Sequence, residues 1–390
     1  MCRTQSNVTR LNPNIPRRRV KKTSARYSFT PELFSYPRET AIIYCEGHFG
    51  KNNGKTANGL VRISSRFDIL CVIDSTLTGQ DSGSVLDGIE NGIPIVQNLE
   101  KAVMFSDKIP DYFIFGLAPS NGKLSFNERN LLIEAMSYGM NILNGLHEFL
   151  SDEPQFVRAS RLYEVHIEDV RRPRNISELQ MLTGRVTEVH CPRILVMGTD
   201  CAVGKRTTAN ILTTALRGYG LNAVMVATGQ TSLMQGSVYG TALDSVPSQF
   251  CAGELEAVII DAYEIEHPDV IVIEGQGALS HPSFCTSASI IRGSCPNAII
   301  MQHVPSRVYR SGTNQVVMPN LAEEITLVEL FSSSPVISIT LNNEGIEGTR
   351  IIENIKDYTV KHGLPVTDLF FESEDELLSA IIRFFPDLKR

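Results

Sequence analysis

Residues 193–197, apolar from Ile194 to Met197, read as a buried strand that stops at Gly198. The chain then reads Gly198-Thr199-Asp200-Cys201-Ala202-Val203-Gly204-Lys205-Arg206-Thr207-Thr208 and turns helix-like at Ala209-Asn210-Ile211-Leu212. Few folds accommodate such a stretch. A buried strand that breaks on glycine and restarts as a helix at Gly-Lys gathers successive backbone N–H groups and the positive end of a helix dipole around one point, a seat for phosphate oxygens. Lys205 adds a cation for the terminal phosphates. A lone Gly-Lys pair carries little weight, but strand, loop and helix agree here. They commit this half of the chain to an α/β parallel sheet with a P-loop at its rim. The expected cofactor-binding residues are Gly198, Thr199, Asp200, Ala202, Val203, Gly204, Lys205, Arg206, Thr207 and Thr208.

The loop departs from the P-loop pattern in two ways. Five residues rather than four separate its glycines, and Arg206 stands where the pattern puts a hydroxyl that ligates Mg²⁺. If a metal binds, Thr207 or Thr208 must supply that oxygen. The acidic partner expected at the end of a later strand is Glu274, which follows the apolar residues 270–273 and is followed by Gly275 and Gly277. The expected metal ligands are thus Thr207 and Glu274, with a carboxylate that only caps its strand as the blander alternative.

A chain of 390 residues is long for a single core, so two domains are expected. Short apolar runs at 41–45, 69–73, 93–96, 112–115 and 140–143 alternate with helix-like stretches, which reads as a Rossmann-like parallel sheet over residues 40–150. Residues 151–192, with a strand-like 165–168 and the helix-breaking Arg171-Arg172-Pro173-Arg174, read as a connector. A P-loop domain over 193–390 has later strands at 223–227, 270–273, 298–301 and 336–340. Its helices are expected near 204–217, 249–264, 320–331, 347–362 and 373–385.

Residues 1–39 read as a solvated extension outside the fold. Residues 1–40 hold nine Lys and Arg against two Glu, which leaves the rest of the chain at −14 for an overall −7. An acidic body repels polyanions and argues against nucleic acid as the main partner. No apolar run approaches the ~20 residues needed to cross a bilayer, so no membrane partner is expected. The eight cysteines are scattered with no Cys-x-x-Cys spacing, suggesting neither a zinc cluster nor a disulfide framework and fitting a reducing, cytoplasmic setting. A small-molecule substrate is the expected partner, and self-association is left open.

Gly198-Thr199-Asp200-x-x-Val203-Gly204-Lys205 with Glu274-Gly275-x-Gly277 resembles the loop and acidic strand end of dethiobiotin synthetase and the cobyrinic acid diamide synthases. Across residues 40–385 the order of motifs is more similar to another P-loop family, long catalogued as a domain of unknown function with a Rossmann-like N-terminal domain. Members of that family that are D-glutamate N-acetyltransferases of the DgcN type give it an activity. The resemblance is carried by Gly54-Lys55-Thr56-Ala57-Asn58-Gly59-Leu60, Val72-Ile73-Asp74-Ser75, residues 198–208, Thr228-Gly229-Gln230-Thr231, Gly253-Glu254-Leu255-Glu256, residues 274–282 and Thr340-Leu341-Asn342-Asn343-Glu344-Gly345.

The resemblance implies acetyl transfer from acetyl-CoA to the amine of an acidic D-amino acid. Coenzyme A carries a phosphorylated adenosine diphosphate that a P-loop can grip without hydrolysing anything, and Arg206 suits that use. The same residues also permit a second chemistry, in which Lys205, Mg²⁺ and Glu274 activate a carboxylate with ATP. A third reading is nucleotide binding without turnover. Candidate catalytic bases are His281, Asp244 and Glu254, with Glu256 beside the last. Candidate substrate-binding residues are Thr228, Gln230, Thr231 and Gln276 in the P-loop half, Lys55 and Asp74 in the first half, and Arg307 or Arg310 for carboxylates.

Overall fold

Two sheets, with parallel pairing throughout their strands, organise the protein in the computed structural model. It describes residues 38–118, 122–311, 313, 315–346, 349–369, 371 and 374–388, so the basic arm expected at 1–39 lies almost wholly outside the described residues. The first sheet contains β1 (Glu39–Tyr44), β2 (Phe67–Ile73), β3 (Ile95–Val96), β4 (Tyr112–Phe115), β5 (Asn141–Asn144) and β6 (Ile167–Asp169), in the order β3-β2-β1-β4-β5-β6. This is the doubly wound dinucleotide-binding order, with its topological switch between β1 and β4. Helices α1 (Lys55–Arg62), α2 (Ser82–Asp87), α3 (Leu99–Val103), α4 (Phe126–Ser137) and α5 (Pro154–Tyr163) make the crossovers. Their starts are legible locally. Ser125 and Glu128 close a capping box on α4, and Pro154 opens α5 where its missing N–H has no cost.

The second sheet contains β7 (Arg193–Gly198), β8 (Ala223–Ala227), β9 (Tyr239–Gly240), β10 (Val270–Glu274), β11 (Ala298–His303), β12 (Val336–Leu341) and β13 (Val366–Thr367), in the order β13-β12-β11-β7-β10-β8-β9. Around it lie α6 (Lys205–Gly218), α7 (Gln230–Met234), α8 (Ser248–Glu266), α9 (Thr286–Ser294), α10 (Leu321–Ser332), α11 (Thr349–His362) and α12 (Asp375–Phe384). The strands read as unbroken apolar runs because both faces are covered. Leu195, Met197, Ile271 and Ile273 pack with Leu255 and Ile259 of α8 on one face. Ile194, Val196, Val270 and Val272 pack with Leu212 and Leu216 of α6 on the other.

The strand-like 165–168 is realised as β6, which pairs parallel with β5, so the first sheet runs past residue 150 into the stretch read as connector. The two-residue strands β9 and β13 had no counterpart in the sequence reading. Among the described residues no helix is long and apolar enough to cross a membrane.

The carboxyl rims of the sheets meet through α1 and α7. The Thr56 and Thr231 hydroxyls are 3.3 Å apart, Gln235 Nε2 donates to the Gly59 carbonyl at 2.8 Å, and the Ser65 N–H donates to the Gln235 carbonyl at 2.8 Å. α7 is buried along its whole length. Leu233 and Met234 of α7, with Ala227 and Ala242 on either side, belong to the core of the first sheet rather than the second. Burying two such large apolar side chains contributes about 1.5–3 kcal/mol each.

Candidate functional site

The phosphate loop springs from β7, the middle strand of its sheet, and is held in shape from the β11 side. The Thr199 N–H donates to the Gln302 carbonyl at 3.1 Å, and its hydroxyl lies 2.9 Å from His303 Nδ1. Gln302 Oε1 accepts from the hydroxyls of Thr208 and Thr340, both at 2.5 Å. Asn342 Nδ2 donates to the Val203 carbonyl at 3.2 Å. Gly204, at φ +114°, turns the loop into α6 in a conformation that side chains rarely adopt. Lys205 is buried and its ammonium group donates to the Asp200 carbonyl, inside the loop it would help to charge. Burial lowers its pKa, and the nearby Cys201, Asp200 and Glu274 oppose that shift.

Arg307 grips the loop from outside. It donates to Asp200 Oδ2 at 3.2 Å, to the carbonyls of Cys201 at 2.9 Å and Ala202 at 3.2 Å, and to Glu344 Oε2 at 2.9 Å. Its guanidinium, read from sequence as a substrate ligand, is spent on the loop itself. Beside it opens a cavity of about 320 Å³, lined by Asn52 of the first half and by Arg307, Tyr309, Arg310, Ser311 and Glu344.

Glu274 ends β10, beside β7, but points toward α7. Its Oε2 accepts from the Thr228 N–H at 3.2 Å and the Ser232 hydroxyl at 2.8 Å. Burial raises its pKa, and the Arg206 guanidinium with the Ser232, Thr228 and Gly229 donors pulls it back. Arg206 reaches over α1, where a Cβ on Gly59 would come within 2.5 Å of its Nη2. Glu274 thus holds two donors on one oxygen, and the Thr208 hydroxyl is turned to Gln302. Glu274 anchors the start of α7 through Ser232 and Thr228, beside Gln230 and Thr231. Gln276 Nε2 joins this set by donating to the Thr228 carbonyl at 2.6 Å.

His281 is brought against the phosphate loop, with Nε2 3.5 Å from Asp200 Oδ1. Its Nδ1 accepts from the Ser283 N–H at 3.1 Å, so the neutral ring carries its proton on Nε2. Burial and the charges of Arg310 and Lys205 lower its pKa, with Asp200 opposing them.

The other proposed bases lie apart. Glu254 is buried, paired with Arg174, and accepts from the Gln180 N–H at 2.7 Å; Glu256 takes the Thr183 N–H and hydroxyl and the Val186 N–H. Both fasten the 174–186 segment to α8. Asp244 is on the cleft between the sheets, paired with Arg171 and 3.9 Å from His147 Nε2.

Lys55, at the start of α1, is exposed on the same cleft but crowded by protein. Desolvation lowers its pKa, with Arg171 and Arg206 adding to the effect and Cys201 and Asp244 opposing it. Asp74 is turned inward. It takes the Phe49 and Thr76 N–H groups and the Thr76 hydroxyl, bracing the 47–54 loop rather than facing the cleft.

Arg171 and Cys201 are the residues the sequence reading passed over. Arg171 sat in a tract notable only for breaking helices, yet its Nε donates to the Gly145 carbonyl at 2.7 Å. Cys201 was visible only as a variable loop position.

Comparison with known proteins places this geometry. Residues 180–378 match a model described as "Domain of unknown function (DUF1611_C) P-loop domain", and residues 75–173 match "Domain of unknown function (DUF1611_N) Rossmann-like domain". A D-glutamate N-acetyltransferase of Pseudoalteromonas sp is 31% identical over 277 residues, covering 68% of this chain and 80% of the relative. One of Tritonibacter scottomollicae is 29% identical over 276 residues, covering 69% and 80%. The crystal structure of a DUF1611 family protein from Anabaena variabilis superposes with a TM-score of 0.82 at 31% identity, covering 89% of this chain and all of the other.

Proposed function

This chain belongs to the DUF1611 family, and from that premise we propose that it is an N-acetyltransferase moving acetyl from acetyl-CoA to the amine of an acidic D-amino acid, D-glutamate foremost. The observation that carries this reading is Arg206. It replaces the metal-binding hydroxyl of a phosphate-hydrolysing loop and puts a second cation next to Lys205 at the start of α6, which supports gripping a polyphosphate with cations rather than with a metal. The cavity of about 320 Å³ beside Arg307 and Arg310 gives the nucleotide end of coenzyme A a place next to that loop.

The acceptor then lies in the cleft, where Lys55 offers positive charge to its carboxylates. Its amine attacks the thioester carbon, the carbonyl oxygen becomes an oxyanion, and the coenzyme A thiolate departs. The amine must also lose a proton. Of the three candidate bases, Asp244 is the one on the cleft beside Lys55, with His147 behind it to pass the proton to solvent.

The test incubates the protein with acetyl-CoA or Mg-ATP and with D- and L-glutamate, following free thiol and phosphate. Thiol release with D-glutamate, in the absence of Mg²⁺ and without phosphate, is the expected result. Product formed only with Mg-ATP and no thiol would make it a ligase, and nucleotide binding with no turnover would make it a sensor.

A further inference from the structure

Two buried polar atoms face each other beside the phosphate loop, and neither has a hydrogen-bond partner. Asp200 Oδ1 and His281 Nε2 lie 3.5 Å apart, on side chains only 0% and 3% exposed. The remaining Asp200 oxygen is fully used, taking the Ser311 N–H at 2.6 Å and Arg307 at 3.2 Å. An orphaned buried acceptor or donor costs about 1–3 kcal/mol, so two aimed at one spot call for a third party. The Cys201 Sγ completes the group, all three atoms lying within 4.8 Å of one another.

We infer that Asp200, Cys201 and His281 form a binding site for a thiophilic divalent cation of the zinc class. Bonds of about 2.0–2.3 Å at a tetrahedral angle put donor atoms about 3.4 Å apart, close to the separation of Asp200 Oδ1 and His281 Nε2. One nitrogen, one oxygen and one sulfur ligand, with a fourth position free, is a zinc-type donor set rather than a magnesium one. The carboxylate and the thiolate formed on binding balance the dication, which this site needs because Lys205 and Arg310 stand nearby. The ion ties the phosphate loop to the 277–285 segment, and the claim is independent of which reaction the protein performs. Ligation through Nε2 leaves the ring proton on Nδ1, so the Ser283 N–H hydrogen bond is given up on loading.

The experiment uses the full chain with Cys2, Cys285 and Cys295 replaced by serine, which removes the two described exposed thiols and the N-terminal one. Co²⁺ is titrated anaerobically. The site predicts one ion per chain, a thiolate-to-cobalt charge-transfer band displaced by Zn²⁺, a raised melting temperature and faster amide exchange at Ser283. Cys201→Ser should abolish the band. His281→Ala should weaken binding by more than the ~10–100-fold typical of losing an outer-shell partner. Should His281→Ala fail to fold, Cys201→Ser, which changes one atom, decides alone. A folded parent with no band, or a band that persists in Cys201→Ser, overturns the assignment.

Discussion

Lys205 rests on the Asp200 carbonyl, so an arriving phosphate must take its ammonium group from a neutral acceptor, an exchange that favours the charged ligand. Lys205→Ala should therefore weaken acetyl-CoA binding by about 1.5–3 kcal/mol in a calorimetric titration. His303 makes a separate prediction. Burial, with His362, Lys361 and Arg307 adding to it, lowers its pKa from 6.5 to about 4. Between those values the unfolded chain binds a proton that the folded one refuses, so this residue's contribution to stability is intact above pH 6.5 and lost as pH falls toward 4, at up to about 1.4 kcal/mol per pH unit. His303→Gln should reduce the pH dependence of the denaturant midpoint across that window and leave the midpoint's pH dependence above it as in the parent. The phosphate loop was legible in the sequence because its chemistry is contiguous from Gly198 to Thr208. The approach of His281 to Asp200 was not, since it depends on the loop after β10 folding back over β7, and nothing in the spacing of the two residues encodes that.

Elements join the sheets at several places, and two of these junctions can each be tested by one substitution. At the contact of α1 with α6, a Cβ on Gly59 would meet Arg206 Nη2 at 2.5 Å and Thr231 Cγ2 at 3.1 Å. The first obstacle is the tip of a flexible side chain, and alanine favours a helix over glycine by about 0.5–1 kcal/mol. Gly59→Ala should thus leave thermal stability within ~1 kcal/mol while displacing Arg206 and raising the KM for the donor. At the other contact Arg171 bridges the Gly145 carbonyl and Asp244. With Asp244 partly exposed, Arg171→Ala should cost about 1–3 kcal/mol rather than the full penalty of a buried pair, and urea unfolding should broaden as the halves separate. Strand runs with both faces covered, such as 194–197 and 270–273, were readable for that reason. The edge strands β9 and β13 were not, because Tyr239-Gly240 and Val366-Thr367 lie in no apolar run such as the 93–96 stretch that revealed the equally short β3.

The whole molecule is acidic, yet Lys55, Lys205, Arg206, Arg307 and Arg310 gather around the loop and cleft. A local positive field within a negative body steers polyanions to one place, and salt screens it. The KM for acetyl-CoA should rise with ionic strength while kcat changes little, as steady-state rates across a KCl series would report. The division into two α/β sheets was legible from alternating apolar runs. Their mutual dependence was not, because it rests on α7, a five-residue helix of the second half whose Leu233 and Met234 complete the core of the first. That dependence sets an order of events during synthesis. As the chain leaves the ribosome, β1 to β6 emerge well before α7, and the first sheet stays open on one apolar flank until the chain has grown through Ala242. The nascent protein passes through a stage at which a chaperone has a defined surface to hold.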